Sequence, residues 1–287
     1  MAKIPGGGPR ARAVGYELRK KREQDRVTTR ALAARLEIAK TRLLRYESGE
    51  ILPSLEEIAR YLGKLSVSRS ETERILEQAR EAHSAADDST LSTYGRGIHQ
   101  ELATLAEFES TAANIVEVAP LVIPGLLQTR EYANAVLDGQ GEEEKENKLA
   151  VRLQRQEILN RSRPPQLTVI VGEFALREPI GGVEVLRAQL DQLISAAERE
   201  RISVRVLESG SEVLHAGHLG EFMLFDYDDK ARPLVHVEGY FTASSTSNAK
   251  VIATYQGAVD DLLNRALGRD ESVQFIKALH NESGSLR

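Results

Sequence analysis

Apolar residues in the first 85 positions recur at helical spacing, in runs broken by polar turns. The first run extends from about Ala13 to Gln24, with Val14 and Leu18 four apart. The second opens at Thr28 or Thr29, hydroxyls suited to N-capping, and carries Leu32, Ala33 and Leu36. The third covers about Lys40 to Ser48 and stops at Gly49. Pro53 marks a turn, and Ser54 caps a fourth run holding Leu55, Ile58, Ala59 and Leu62. A fifth follows at about Arg69–Ala85, with Ile75, Leu76 and Ala79 on one face.

The flanks of this block read differently. Residues 1–11 (MAKIPGGGPRA) contain three consecutive glycines and two prolines, and predict a mobile arm. Residues 84–97 are small and polar and predict a linker. From about Ile98 helical segments are predicted at 99–113, 129–138, 143–160, 183–200, 248–267 and 270–280. Between them lie β-type runs at Ile115–Val118, Leu167–Val171, Ile202–Leu207, Glu221–Phe225 and Leu234–Val237. The expected organisation is an arm (1–11), an all-α domain (12–83), a linker (84–97) and a larger α+β or α/β domain (98–287). A sheet of about four to six strands covered by helices is expected in the last.

Composition narrows the chemistry. The 287 residues include no cysteine, which excludes disulfides, thiolate metal sites and cysteine nucleophiles. The longest apolar stretch, Val118–Leu127, is short and holds two prolines, so no transmembrane helix is expected. The N-terminus lacks the apolar segment of a secretory signal, and a cytoplasmic location is expected. Tryptophan is absent and aromatics are 5%, against a stacking platform for single-stranded nucleic acid. The net charge of −5 hides an asymmetry: residues 1–50 hold 13 basic and 6 acidic side chains, residues 81–287 hold 20 and 32. A basic head on an acidic body implies that the head meets the polyanion.

A helical wheel of the third run places Leu43 and Tyr46 on one side. Thr41, Leu44, Arg45 and Ser48 fall opposite, flanked by Lys40 and Arg42. That outer face suits a DNA major groove, which admits one α-helix. Thr41 can meet a base edge or a phosphate, Arg45 can donate two parallel hydrogen bonds to guanine, and Leu44 can meet a thymine methyl.

LAARL at Leu32–Leu36, RxxRYESG at Arg42–Gly49 and PSLEEI at Pro53–Ile58 resemble the phage-repressor-like (lambda-repressor-like), xenobiotic-response-element (XRE) class of helix–turn–helix domains. The resemblance implies base contacts from Lys40, Thr41 and Arg45, and phosphate contacts from Thr29, Arg30, Arg42 and either Arg22 or Arg26. Arm residues Arg10 and Arg12 would reach a groove or the backbone. It also implies an ion pair between Arg22 and Glu47. Glu37 stands where the class usually has glycine, so the turn must form without glycine's freedom.

PLVIPGLLQTREYA (Pro120–Ala133), RLQRQ (Arg152–Gln156), VGEFALRE (Val171–Glu178), HxGxLGEFMLFD (His215–Asp226) and VHVEG (Val235–Gly239) are similar to strings in large actinobacterial, Streptomyces-type regulators. These join such a head to a second domain of undefined chemistry. The similarity implies an antitoxin-like transcriptional regulator, expected to be a homodimer on double-stranded DNA and controlled by a small protein partner of the second domain. The alternatives are a small-molecule-sensing repressor and, further off, an enzyme with an appended head. His215, His218, His236 and Glu221 are the nearest approach to a metal set, but their glycine-rich setting reads as loop and core. Glu173, Arg177 and Glu238 are candidates for a charge network, and PGLLQT (Pro124–Thr129) reads as a turn leading into a helix. No phosphate loop, nucleophile elbow or dinucleotide fingerprint is present, and no enzymatic activity, metal or cofactor is expected.

Overall fold

The computed structural model describes residues 7–84, 90–92, 98–138, 142–228, 232–239 and 243–283. Much of the expected arm (1–6) and linker (85–89, 93–97) lies outside these. Five helices make the head: α1 (Pro9–Gln24), α2 (Thr29–Leu36), α3 (Lys40–Glu47), α4 (Leu55–Leu62) and α5 (Arg69–Ser84). Thr28 caps α2 by accepting from the Ala31 N–H, and Ser54 with Glu57 forms a capping box on α4. Val14, Leu18, Leu32, Leu43, Ile58 and Ile75 close a common core.

One expectation fails at the start of the chain. Pro9, Arg10 and Ala11 are not arm; they are the first turn of α1. Proline suits a first helical position, because its missing N–H has no partner there anyway. The Gly7 N–H also donates to the Gly49 carbonyl at 2.8 Å, tying the entry of α1 to the end of α3.

Among the described residues the body is built on one seven-stranded sheet, more than the four to six expected, in the order β1-β7-β6-β5-β2-β3-β4. In chain order the elements are β1 (Thr90–Ser92), α6 (Ile98–Thr111), β2 (Asn114–Ala119), α7 (Arg130–Val136), α8 (Glu142–Gln156), β3 (Gln166–Gly172), α9 (Glu173–Arg177), α10 (Val183–Ala197), β4 (Ile202–Leu207), β5 (Phe222–Asp226), β6 (Leu234–Glu238), β7 (Ala243–Thr246), α11 (Ala249–Arg265) and α12 (Arg269–Ser283). β2, β3 and β4 are parallel; the other pairings are antiparallel. This mixed sheet makes the body α+β. One face packs under α6, α10 and α12 through Phe108, Leu190 and Ile276; the other packs under α11 through Ile252, Val259 and Leu262.

The two additional strands are the polar ones. β1 lies inside the expected linker and pairs with β7, Thr90 opposite Thr246. Neither TLS nor ASST shows an apolar alternation, yet their backbones complete the ladder, and Leu91 and Ser245 are buried.

Head and body meet along α1. The Arg12 guanidinium lies 3.7 Å from the Tyr227 ring centre and donates to Thr111 Oγ1 at 3.3 Å. Only 2% of Arg12 remains exposed, and Arg10 Nε donates to the Thr90 carbonyl at 3.0 Å. Both arginines therefore face the body, and their expected role as DNA-reaching arm residues is corrected. Glu107 of α6 is buried near Arg12, Arg19 and Glu17, and neither carboxylate oxygen has a hydrogen-bond partner. Burial pushes its carboxyl up to about 8 against the opposing pull of Arg12.

A carboxyl raised from 4.5 to about 8 makes the folded state hold more protons, so its contribution to stability is lost as pH rises between those values. Glu107→Gln removes that loss. Thermal denaturation at pH 5 and pH 8 is expected to show the variant melting above the parent, with the gap wider at pH 8.

Candidate nucleic-acid interface

The outer helix is held from beneath by a buried ion pair. Arg22 donates from Nε to Glu47 Oε1 at 2.7 Å and from Nη2 to Glu47 Oε2 at 2.8 Å. Arg22 Nη1 donates to the Val27 carbonyl at 3.0 Å. Tyr61 of α4 donates its hydroxyl proton to Glu47 Oε1 at 2.6 Å, and that hydroxyl lies 3.0 Å from the Leu18 carbonyl. The pair implied by the family resemblance is present. It consumes the donors of Arg22, whose side chain is only 9% exposed, so the phosphate role expected for Arg22 is corrected to a structural one.

Glu37 meets the demand of the turn without glycine. It adopts φ 57° and ψ 39° at the end of α2, and its N–H donates to the Ala34 carbonyl. The chain then enters α3, with Leu43 and Tyr46 buried as the wheel predicts. Close packing sets its depth. A Cβ on Gly15 of α1 would stand 2.5 Å from the Tyr46 carbonyl oxygen, and one on Gly49 (φ 69°) would stand 2.5 Å from the Arg12 Cα.

The opposite face of α3 is open. Lys40, Thr41, Arg42 and Arg45 are exposed, and Leu44 is 43% exposed. Arg30, at the start of α2, is exposed beside the half-buried Thr29. The expected base-contacting and phosphate-contacting residues, Arg22 and the exposed turn residue Arg26 apart, thus belong to α2 and α3 with their accessible sides outward. Two cations carry internal partners. Arg45 Nη2 lies 2.8 Å from Glu50 Oε1, with both side chains half exposed. Arg42 Nη2 lies 2.6 Å from Glu57 Oε1, which also accepts from the Tyr46 hydroxyl at 2.7 Å. Exposed pairs of this kind are worth about 0–1 kcal/mol, so a phosphate or a guanine edge can displace the carboxylate at small cost.

In the body, Glu173 and Arg177 pair at 2.6 Å with Glu282 alongside, whereas Glu238 bonds His236; the expected three-residue network does not form. His215 and His218 stack with ring centres 3.8 Å apart, and His236 is a core side chain bonded to Ser245 Oγ at 2.7 Å. Among the described residues no cluster has the makeup of a metal site. PGLLQT forms the expected turn, with Leu126 and Leu127 buried and Thr129 capping α7. Two features escaped the sequence reading. A recess of about 370 Å³ beyond the ends of β2, β3 and β4 is lined by Leu121, Phe174, His215, His218 and Leu219, with Val213 and Leu214 exposed close by in sequence. The second is a set of buried charges from α6, β2 and α8: Glu109, Glu117 and Arg155. A glutamate at an inward position of the alternating strand IVEVA was the available signal for Glu117.

An open cationic helix seated on a helix–turn–helix core defines a DNA-binding regulator, and residues 13–75 match the family described as helix-turn-helix domain. Residues 102–278, more than half of the chain, match the domain of unknown function DUF5753, and the chain belongs to that family. No curated protein matches it. Among the described residues no helix is long and apolar enough to cross a membrane.

Removing one partner of the buried pair strands the other without compensation. Glu47→Gln is expected to cost about 3–5 kcal/mol, read as a lowered urea midpoint of the transition that reports the head.

Proposed function

We propose that this chain is a sequence-specific regulator of the XRE kind that reads double-stranded DNA with Lys40, Thr41, Leu44 and Arg45. The observation that carries this reading is the outward face of α3, left uncovered while its inner face is locked by Arg22, Glu47 and Tyr61. Thr29, Arg30 and Arg42 grip phosphates on either side. As a homodimer, two heads would meet half-sites about 34–36 Å apart, or a multiple of that. The second domain serves regulation and not catalysis, in an antitoxin-like arrangement within the cytoplasm. A small protein partner docks on the apolar recess of Leu121, Phe174 and Leu219. That surface supports the reading because five of the seven large exposed apolar side chains among the described residues lie on the chain segments around it.

Fluorescence anisotropy on a selected operator and on random duplex separates the roles in the head. Arg45→Ala is expected to relax preference at one base pair, by about 1–3 kcal/mol. Arg30→Ala should weaken both duplexes alike and lower the log–log salt slope by about 0.9. Equal losses on both duplexes for Arg45→Ala would contradict base reading.

The partner surface has its own test. A Leu214→Glu, Leu219→Glu double variant is expected to keep operator affinity and lose co-purification of the small partner. Retained partner with lost DNA binding would reverse the assignment.

A further inference from the structure

The sheet face beneath α6 and α8 carries an unusual number of carboxylates for an interior. β2 presents Glu117 on that face, opposite Met223 of β5, which in turn lies opposite His236 of β6. Glu221, one residue before β5, and Glu238, the last residue of β6, lie just beyond that pair, close enough for the charge of Glu238 to act on Glu221. Like charges brought together in a poorly solvated interior repel unless something neutralises them. α6 adds Glu109, and α8 adds Arg152 and Arg155.

The bonding within this group is unequal. Arg155 is spent on Glu109, donating from Nε to Oε2 at 2.8 Å and from Nη2 to Oε1 at 2.7 Å. Arg152 donates to Gln128 Oε1 at 2.8 Å. Glu117 is 1% exposed, and its Oε1 has no hydrogen-bond partner. Glu238 accepts a long contact from His236, 3.3 Å, and keeps 43% of its side chain accessible. The group therefore runs from a buried carboxyl with one unpartnered oxygen at its floor to a reachable carboxylate at its rim.

We propose that Glu117, Glu221 and Glu238 form a binding site for a small organic cation bearing N–H donors, an amine or a guanidinium. Such a ligand supplies what this wall lacks: N–H donors for carboxylate oxygens that Arg152, bonded to Gln128, and Arg155, bonded to Glu109, leave unbonded. An anion is disfavoured, because the deeper arginine is already saturated by Glu109. The electrostatics agree. Burial, and then the charge of Glu238, push the Glu221 carboxyl up to about 7, while burial and the Glu221 charge raise Glu117 well above the usual range. Glu238 is opposed by burial, but its bond to His236 and the charges of His236, Arg155 and Arg152 bring it down to about 2, leaving a charged rim. This site is separate from the DNA interface, and its failure would leave the DNA-binding reading intact.

The test is calorimetric titration of the full chain, without DNA, using agmatine and putrescine as probes and succinate as the anionic control. Saturable binding of at least one cation with a Kd below about 1 mM, and none of succinate, is expected. Glu117→Gln with Glu221→Gln is expected to weaken that binding at least tenfold while keeping a cooperative melt, since glutamine imitates a protonated carboxyl. Should that double variant fail to melt cooperatively, Glu238→Gln at the rim replaces it, with the same tenfold loss expected. No saturable heat from either cation, unchanged affinity in the folded variant, or preference for succinate would overturn the site.

Discussion

The head depends on one buried contact, the two-pronged bond between Arg22 and Glu47. It joins the end of α1 to the end of α3, and through Tyr61 and the Val27 carbonyl it also engages α4 and the turn before α2. Taking two charges out of water is expensive, and a hydrophobic pair of the same volume would often be at least as stable. What the ion pair adds is direction. A guanidinium gripping both oxygens of a carboxylate fixes distance and plane together, which apolar side chains do not. The angle at which α3 leaves the core is thereby specified, and with it the set of side chains that face outward.

Backbone contact refines that placement. α1 approaches the end of α3 so closely that Gly15 and Gly49 leave no room for a side chain between them. The outward cations rest on carboxylates that water reaches, Arg45 on the exposed Glu50 and Arg42 on the partly buried Glu57. The inner pair is desolvated and costly to break; the outer pairs are wet and cheap to exchange. The same chemistry thus gives rigidity below the helix and availability above it, and the difference is burial.

What the sequence showed depended on whether apolar periodicity carried the information. The five head helices and five of the seven strands follow from it, as do the buried side of α3 and the turn at PGLLQT. β1 and β7 do not, because TLS and ASST are held by ladder hydrogen bonds that any backbone can make. Arg12 was misjudged for a related reason. Its neighbours read as arm, and only tertiary contact with Tyr227 reveals a stacked, buried cation. The glutamates on the inner sheet face were harder still: their significance lies in cross-strand register, which joins positions more than a hundred residues apart.

α6 connects these observations. It carries Glu107 toward α1, where the carboxyl lies unpaired at the seam between head and body. Two residues on, Glu109 points into the body and bonds Arg155 beside the carboxylates of the sheet. Successive odd positions on a helix differ by about 200°, so the two side chains necessarily serve opposite sides of one rigid rod. A helix bonded on one side to a charged interior and pressed on the other against the DNA-reading domain cannot reorient for one without disturbing the other. Physical linkage between body and head is in that sense built into the spacing of two glutamates. A ligand or partner would use it only by binding one orientation of α6 more tightly than another.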